Sequence, residues 1–148
     1  MNQQLGDYQL VRELGRGGMG VVYEARHPNV PRPLALKLCL QGLARADDVQ
    51  RFKREALVLA QVKHPNVVTI HQLLECDQGP YLVTDLVPGE PLSALMRMGP
   101  CEPLRAARIC RALADALVAI HAQGVVHRDL KPANVILSDN DHPVLLDF

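Results

Sequence analysis

The apolar residues of this chain fall into short runs divided by polar and glycine-rich turns, with two longer stretches at helical spacing. Residues 8–14 alternate and predict a strand. After Gly15-Arg16-Gly17-Gly18-Met19-Gly20 a second strand resumes at Val21-Val22-Tyr23. A proline-rich connection, residues 27–33, leads into Leu34-Ala35-Leu36-Lys37-Leu38-Cys39, an apolar strand with one lysine inside it. Asp47 and Asp48 suit a helix N-terminus, and Phe52, Ala56, Leu59 and Val62 recur at helical spacing, which predicts a helix to about Val62. Lys63-His64-Pro65-Asn66 reads as a turn with a structural histidine. Strands are predicted over 67–74 and 81–84, after which residues 85–89 break the pattern and read as a linker.

Beyond the linker a short helix is predicted over 91–98 and a long one over 103–123, with Pro103 at its first position and Gly124 as its stop. Ile109, Leu113, Leu117 and Ile120 form its apolar stripe, and Arg105, Arg108 and Arg111 are expected to face water. The octet His127-Arg128-Asp129-Leu130-Lys131-Pro132-Ala133-Asn134 follows. Pro132 keeps Lys131 out of helical geometry, so no helix runs through it. Two short apolar runs, Val135-Ile136-Leu137 and Val144-Leu145-Leu146, flank a polar turn and predict a hairpin. Such a hairpin would return Asp147 to the side of Asn134 and pair two oxygen ligands suited to Mg²⁺. The whole is an α+β chain with a base, a cation and two metal ligands in one neighbourhood, a set suited to phosphoryl transfer.

Composition narrows the partners. Sixteen basic residues balance sixteen acidic ones, so no net field favours nucleic acid or an anionic membrane. Aromatic residues are 3% of the chain and Trp is absent, which disfavours base-stacking platforms. Cys39, Cys76, Cys101 and Cys110 form no Cys-x-x-Cys pair, and reduced, mostly buried thiols in the cytoplasm are expected. The most apolar stretch, 112–122, contains Asp115 and His121 and is too short to span a bilayer, and the polar start resembles no signal peptide.

The octet resembles the catalytic loop of protein kinases, His-Arg-Asp-Leu-x-x-x-Asn, and Lys131-Pro132 is similar to the Ser/Thr-specific branch. The other motifs occur in family order. Gly15, Gly17, Gly20 and Val22 match the kinase Gly-x-Gly-x-x-Gly-x-Val loop; a strand, not a helix, follows, which excludes the dinucleotide-binding version. Leu34-Ala35-Leu36-Lys37 is close to Val-Ala-Ile-Lys, and Asp147-Phe148 begins an Asp-Phe-Gly motif. The wording of the glycine stretch resembles bacterial kinases.

The resemblance implies a two-lobed fold: a complete small antiparallel β lobe with its αC helix over about 8–84, a hinge over 85–90, and the start of a mainly helical large lobe over 91–148. It implies Mg²⁺ and ATP as cofactors and Ser/Thr hydroxyls of proteins as acceptors. Leu14, Gly15, Gly17, Gly18, Gly20, Val22, Ala35, Lys37, Glu55, Asp85, Val87 and Ile136 would surround the nucleotide, with Thr84 gating the back of the pocket. Lys37 would hold the α- and β-phosphates and Glu55 would pair with Lys37. The Asp85 and Val87 backbone would bind adenine. Asp129 would act as base and Lys131 would steady the γ-phosphoryl; Asn134 and Asp147 would hold Mg²⁺. Arg128 implies control by a phosphorylated activation loop, and Leu59, Ile70, His127 and Phe148 resemble the apolar column of active kinases.

Other readings of the same residues stay open. Lys37 also fits a solvated edge lysine, and Glu55 also fits an exposed partner of Arg51. An alternative function is a kinase-like nucleotide-binding or regulatory module without catalysis, because the activation segment and Ala-Pro-Glu motif are absent from these residues. Taken alone, residues 1–148 are expected to be inactive, with the 109–120 stripe exposed. Downstream domains or a membrane anchor beyond Phe148 stay open.

Overall fold

The computed structural model of the chain describes residues 3–17, 20–40 and 45–146. The expectations for Gly18, Asp147 and Phe148 lie outside these residues. The chain divides into two compact units, Met1–Ala60 with Ile70–Leu86, and Gln61–Thr69 with Val87–Phe148.

The first unit is an antiparallel sheet carrying one helix. Its elements are β1 (Gln3–Leu5), β2 (Tyr8–Gly17), β3 (Gly20–His27), β4 (Val30–Cys39), α1 (Ala46–Leu59), β5 (Ile70–Cys76) and β6 (Gly79–Asp85). The six strands lie in the order β1-β2-β3-β4-β6-β5, so β6 enters between β4 and β5. Period-two alternation decides the two faces. Leu34, Leu36 and Leu38 are buried in a core with Val21, Ala25, Tyr81 and Val83, while Ala35 and Lys37 point to the other face. Several boundaries differ from expectation. Strand β4 begins at Val30, so the proline-rich connection shrinks to a turn; a register shift between Ala25 and His27 accommodates Pro31 and Pro33, which cannot donate to a ladder. Helix α1 ends at Leu59 with Ala60 as its cap, and Val62 is buried outside it. Strand β5 starts at Ile70, and Val67 only bridges Leu145 within the second unit.

Gly20 is fixed by packing. A Cβ there would lie 1.9 Å from the Leu38 carbonyl oxygen, whereas one at Gly15 or Gly17 would meet nothing within 4 Å. Gly20→Ala is therefore expected to destabilise the protein by about 1–3 kcal/mol, the usual cost of overpacking. Gly15→Ala should stay within about 0.5 kcal/mol of the parent. Urea melts of the two variants check this, and equal losses would contradict the steric assignment.

The second unit contains β7 (Glu90–Pro91), α2 (Leu92–Arg97), α3 (Pro103–His121), β8 (Val135–Ser138) and β9 (His142–Leu145), with single 3₁₀ turns at Pro132–Asn134 and Asp139–Asp141. Helix α3 follows its sequence signals. Pro103 opens it, the Glu102 side chain caps it by accepting from the Leu104 and Arg105 amides, and Gly124 lies beyond its end with φ +73°. The stripe is not exposed as expected: Ile109, Ala116 and Ile120 are buried against the hairpin side of the unit, Leu113 and Leu117 are half-buried, and Leu104 and Val118 are the exposed large apolar residues of α3. Arg105 does not simply face water either. Its guanidinium grips Asp141 through two bonds of 2.8 and 2.6 Å, and this pairing holds the carboxyl below its ordinary range. Cys39 is buried, but Cys76 and Cys101 are half-buried and Cys110 is exposed, so the thiols are not mostly buried. No helix among the described residues is long and apolar enough to cross a membrane.

Candidate active site

Asp129, Lys131 and Asn134 of the second unit sit on the loop from His127 to Asn134. Lys131 has φ −151° and ψ 157°, the extended geometry that a following proline imposes. Arg128 stands at φ +64°, a costly conformation for a side-chain-bearing residue, held by fixed neighbours. His127, buried at 3% exposure, supplies that fixing. Its Nε2 lies 3.0 Å from the Leu146 carbonyl, which can only accept, so Nε2 carries the hydrogen; Nδ1 then accepts from the Asp129 amide at 3.3 Å. The Asp129 amide also donates to the His127 carbonyl at 2.8 Å.

Three side chains converge on this loop. Asp129 Oδ2 accepts from Lys131 Nζ at 2.7 Å and from Asn134 Nδ2 at 3.0 Å, and Asn134 Nδ2 also reaches the Asp129 carbonyl at 2.9 Å. The bond from Lys131, then that from Asn134, holds the Asp129 carboxyl below its ordinary value of 3.8. Asp129 and Lys131 are exposed, whereas Asn134 is buried. The Asn134 amide nitrogen is committed to Asp129, and its carboxamide oxygen is the atom of that side chain with ligating capacity. The expected hairpin forms, with Val135 opposite Leu145 and Ile136 opposite Val144, and the Leu146 amide donates to the Asn134 carbonyl at 2.8 Å. The chain is thus brought back to Asn134 as far as Leu146; Asp147 itself lies outside the described residues. An amide oxygen held in place beside a returning strand fits a hard cation that keeps water and phosphate as its other ligands. Ile136, half-buried in β8, pairs with Pro91 and Val144.

Val22, Ala35, Lys37 and Thr84 of the first unit share the sheet face opposite the core. Val22 stands opposite Lys37, and Thr84 opposite Ala35, so all four point to one side of three adjacent strands. Gly15 and Gly17, at the open end of β2 and β3, have unobstructed backbone, and Leu14 beside them is exposed. Glu55 is half-buried on α1, one residue before the buried Ala56. Arg51, the alternative partner of Glu55, donates to Asp48 at 3.1 Å. Helix α1 is tied to β5 by Lys53 Nζ on Glu75 Oε1 at 2.5 Å. At the end of β6, Asp85 Oδ1 is met by His71 and Arg32, two residues to which sequence reasoning gave no role. No motif marks them, because their meeting depends on strand order. Val87 follows in the second unit, half-buried in the segment after Leu86.

Residues 8–148 match the family described as "Protein kinase domain". The chain belongs to the protein kinase family. This kinase chain is 43% identical over 151 residues to the serine/threonine-protein kinase PknH of Mycobacterium tuberculosis, covering 100% of the chain and 24% of that protein. It is 43% identical over 148 residues to PknE of the same organism, covering 98% of the chain and 26% of the relative. Among solved structures it is similar to the M. tuberculosis PknI kinase domain, with TM-score 0.87, 33% identity and coverage of 99% of this chain and 60% of that one. The kinase chain therefore spans about a quarter of the curated relatives' length and carries part of a two-lobed kinase domain.

Proposed function

We propose that the protein containing this chain transfers the γ-phosphoryl of ATP to Ser or Thr hydroxyls of protein substrates. The observation that carries the reading is the convergence of Lys131 and Asn134 on Asp129. Phosphoryl transfer asks the protein mainly for positioning and charge. A carboxylate kept ionised and aimed by two donors orients an attacking hydroxyl and accepts its proton late. Lys131, tethered to the same oxygen, steadies the γ-phosphoryl. Asn134 and Asp147 would hold Mg²⁺, which neutralises phosphate charge when bound. In the first unit, the open backbone of Gly15 and Gly17 suits phosphate oxygens, and Leu14, Gly18 and Gly20 are proposed to take part in the same binding. Val22, Ala35 and Ile136 would line the adenine, the Asp85 and Val87 backbone would bind its edge, and Lys37 paired with Glu55 would hold the α- and β-phosphates.

The comparisons support this reading through relatives named as serine/threonine-protein kinases. Residues 1–148, spanning 60% of a solved kinase domain, are not proposed to complete the reaction alone. A cytoplasmic site of action, where Mg-ATP is abundant, fits the free cysteines. The test is phosphoamino-acid analysis of the full-length protein incubated with labelled Mg-ATP and a generic protein acceptor. Phosphoserine and phosphothreonine are expected. A product that is mainly phosphotyrosine would refute the assignment, and ATP binding without transfer would favour a non-catalytic module.

A further inference from the structure

We infer that Arg32 and His71 are positioning residues for nucleotide: they grip the Asp85 carboxylate from the two strands flanking β6 and so fix the backbone that would meet adenine. This inference rests on the nucleotide-binding reading and adds two residues to it.

The grip is a single-oxygen focus. His71 Nε2 lies 2.7 Å from Asp85 Oδ1, and Arg32 Nη2 lies 3.0 Å from the same oxygen. A carboxylate can only accept, so His71 Nε2 carries its hydrogen there. Arg32 Nη2 also approaches His71 Nε2 at 3.4 Å, but with both nitrogens bearing hydrogens that approach is contact and not a bond. The carboxylate therefore holds together two donors that would otherwise separate.

Sheet order and register explain how the three meet. Strand β6 lies between β4, which supplies Arg32, and β5, which supplies His71. Leu34 stands opposite Asp85, which puts Arg32 two positions along the same face, a diagonal that a long side chain spans. On the other side, Ile70 pairs with Thr84 and Gln72 with Val83, so the ladder skips His71. In a regular ladder His71 would stand near Val83, a core residue of 1% exposure. The irregularity instead releases the ring toward Asp85, the re-aiming that bulges perform.

The position is consequential because Asp85 is the last residue of β6 and the chain beyond it leaves regular structure. A strand end held only by its ladder frays readily. The Asp85 carbonyl accepts from Thr84 Oγ1 at 3.1 Å, and in the nucleotide reading the same carbonyl meets the base amino group. Anchoring the side chain fixes the direction of that carbonyl. Arg32 thereby becomes part of the nucleotide site without touching nucleotide, as does His71.

The experiment measures ATP KM and kcat for the full-length protein carrying His71→Phe, His71→Gln or Arg32→Gln. His71→Phe removes the donor and should raise KM for ATP about three- to fivefold, the range a partly exposed ion pair supplies, with kcat held. His71→Gln keeps an N–H donor and should recover most of the affinity, and Arg32→Gln should fall between. Thermal melts run alongside. A lowered Tm or kcat with unchanged KM in His71→Phe would show a merely structural role and overturn the inference. Equal KM in the Phe and Gln variants would overturn it too. ATP binding by the parent protein with flat KM across the variants would sink this inference alone, whereas a parent protein that binds no nucleotide would sink the broader reading with it.

Discussion

Asp129→Asn in the full-length protein should lower turnover by about two to four orders of magnitude, the range for losing a positioned proton acceptor. ATP affinity should hardly change, because Asp129 is exposed and its bonds run to Lys131 and Asn134. The substitution is nearly isosteric, and an amide at position 129 can still accept from both donors through its oxygen. Lost turnover with a retained fold therefore isolates the charge. The pH dependence adds a second check. Lys131 first, then Asn134, lowers the folded carboxyl below 3.8, so the stabilisation is present above the unfolded value and is lost only as pH falls through the folded one. Asp129 stays ionised across the working range, and no acid limb between about pH 5 and 8 should belong to it. Steady-state assays of parent and variant across that range provide both numbers. A variant with parental kcat would remove Asp129 from the mechanism.

The second large effect concerns Lys37 and Glu55. Lys37 shares its sheet face with Val22, Ala35 and Thr84, away from the leucine core, which is where a phosphate-holding cation belongs. Lys37→Met preserves the stem and removes the charge. It should cost about two to three orders of magnitude in kcat, comparable to losing one preorganised donor to a developing anion. Glu55→Gln should lose activity through the same lysine, so the double variant should be little worse than Lys37→Met alone. Strict additivity of the two losses would show that Glu55 serves something other than Lys37. The result also separates the two readings of each residue: a solvated edge lysine would leave kcat near the parental value.

Much of this protein was legible before folding because the decisive signals are local. Pro132 dictates the extended Lys131, and Pro103 and Gly124 bound α3. Alternation along 34–38 divides buried leucines from Ala35 and Lys37, and the hairpin expected after Asn134 forms. Each of these follows from one residue's backbone restriction or from the period of a strand, both of which are written in neighbouring positions. The octet and the glycine motif belong to the same class, since their chemistry needs fixed offsets on one loop.

Other features depend on residues far apart in the chain meeting across the fold. Helix α1 stops three residues short of its apolar periodicity, and Val62 is buried elsewhere, because burial and not period decides where a helix may end. Arg105 pairs with Asp141 across 36 positions, and Arg51 is bonded to Asp48 on its own helix. The focus of Arg32 and His71 on Asp85 needs β6 to enter between β4 and β5 and the ladder to skip one residue. Sequence alone determined the family, the extended geometry at Lys131 in the 127–134 loop and the faces of the strands. Tertiary structure decided which charges are partnered, because an ion pair is a matter of distance, and distance between remote residues is set only when the sheet closes its order and register.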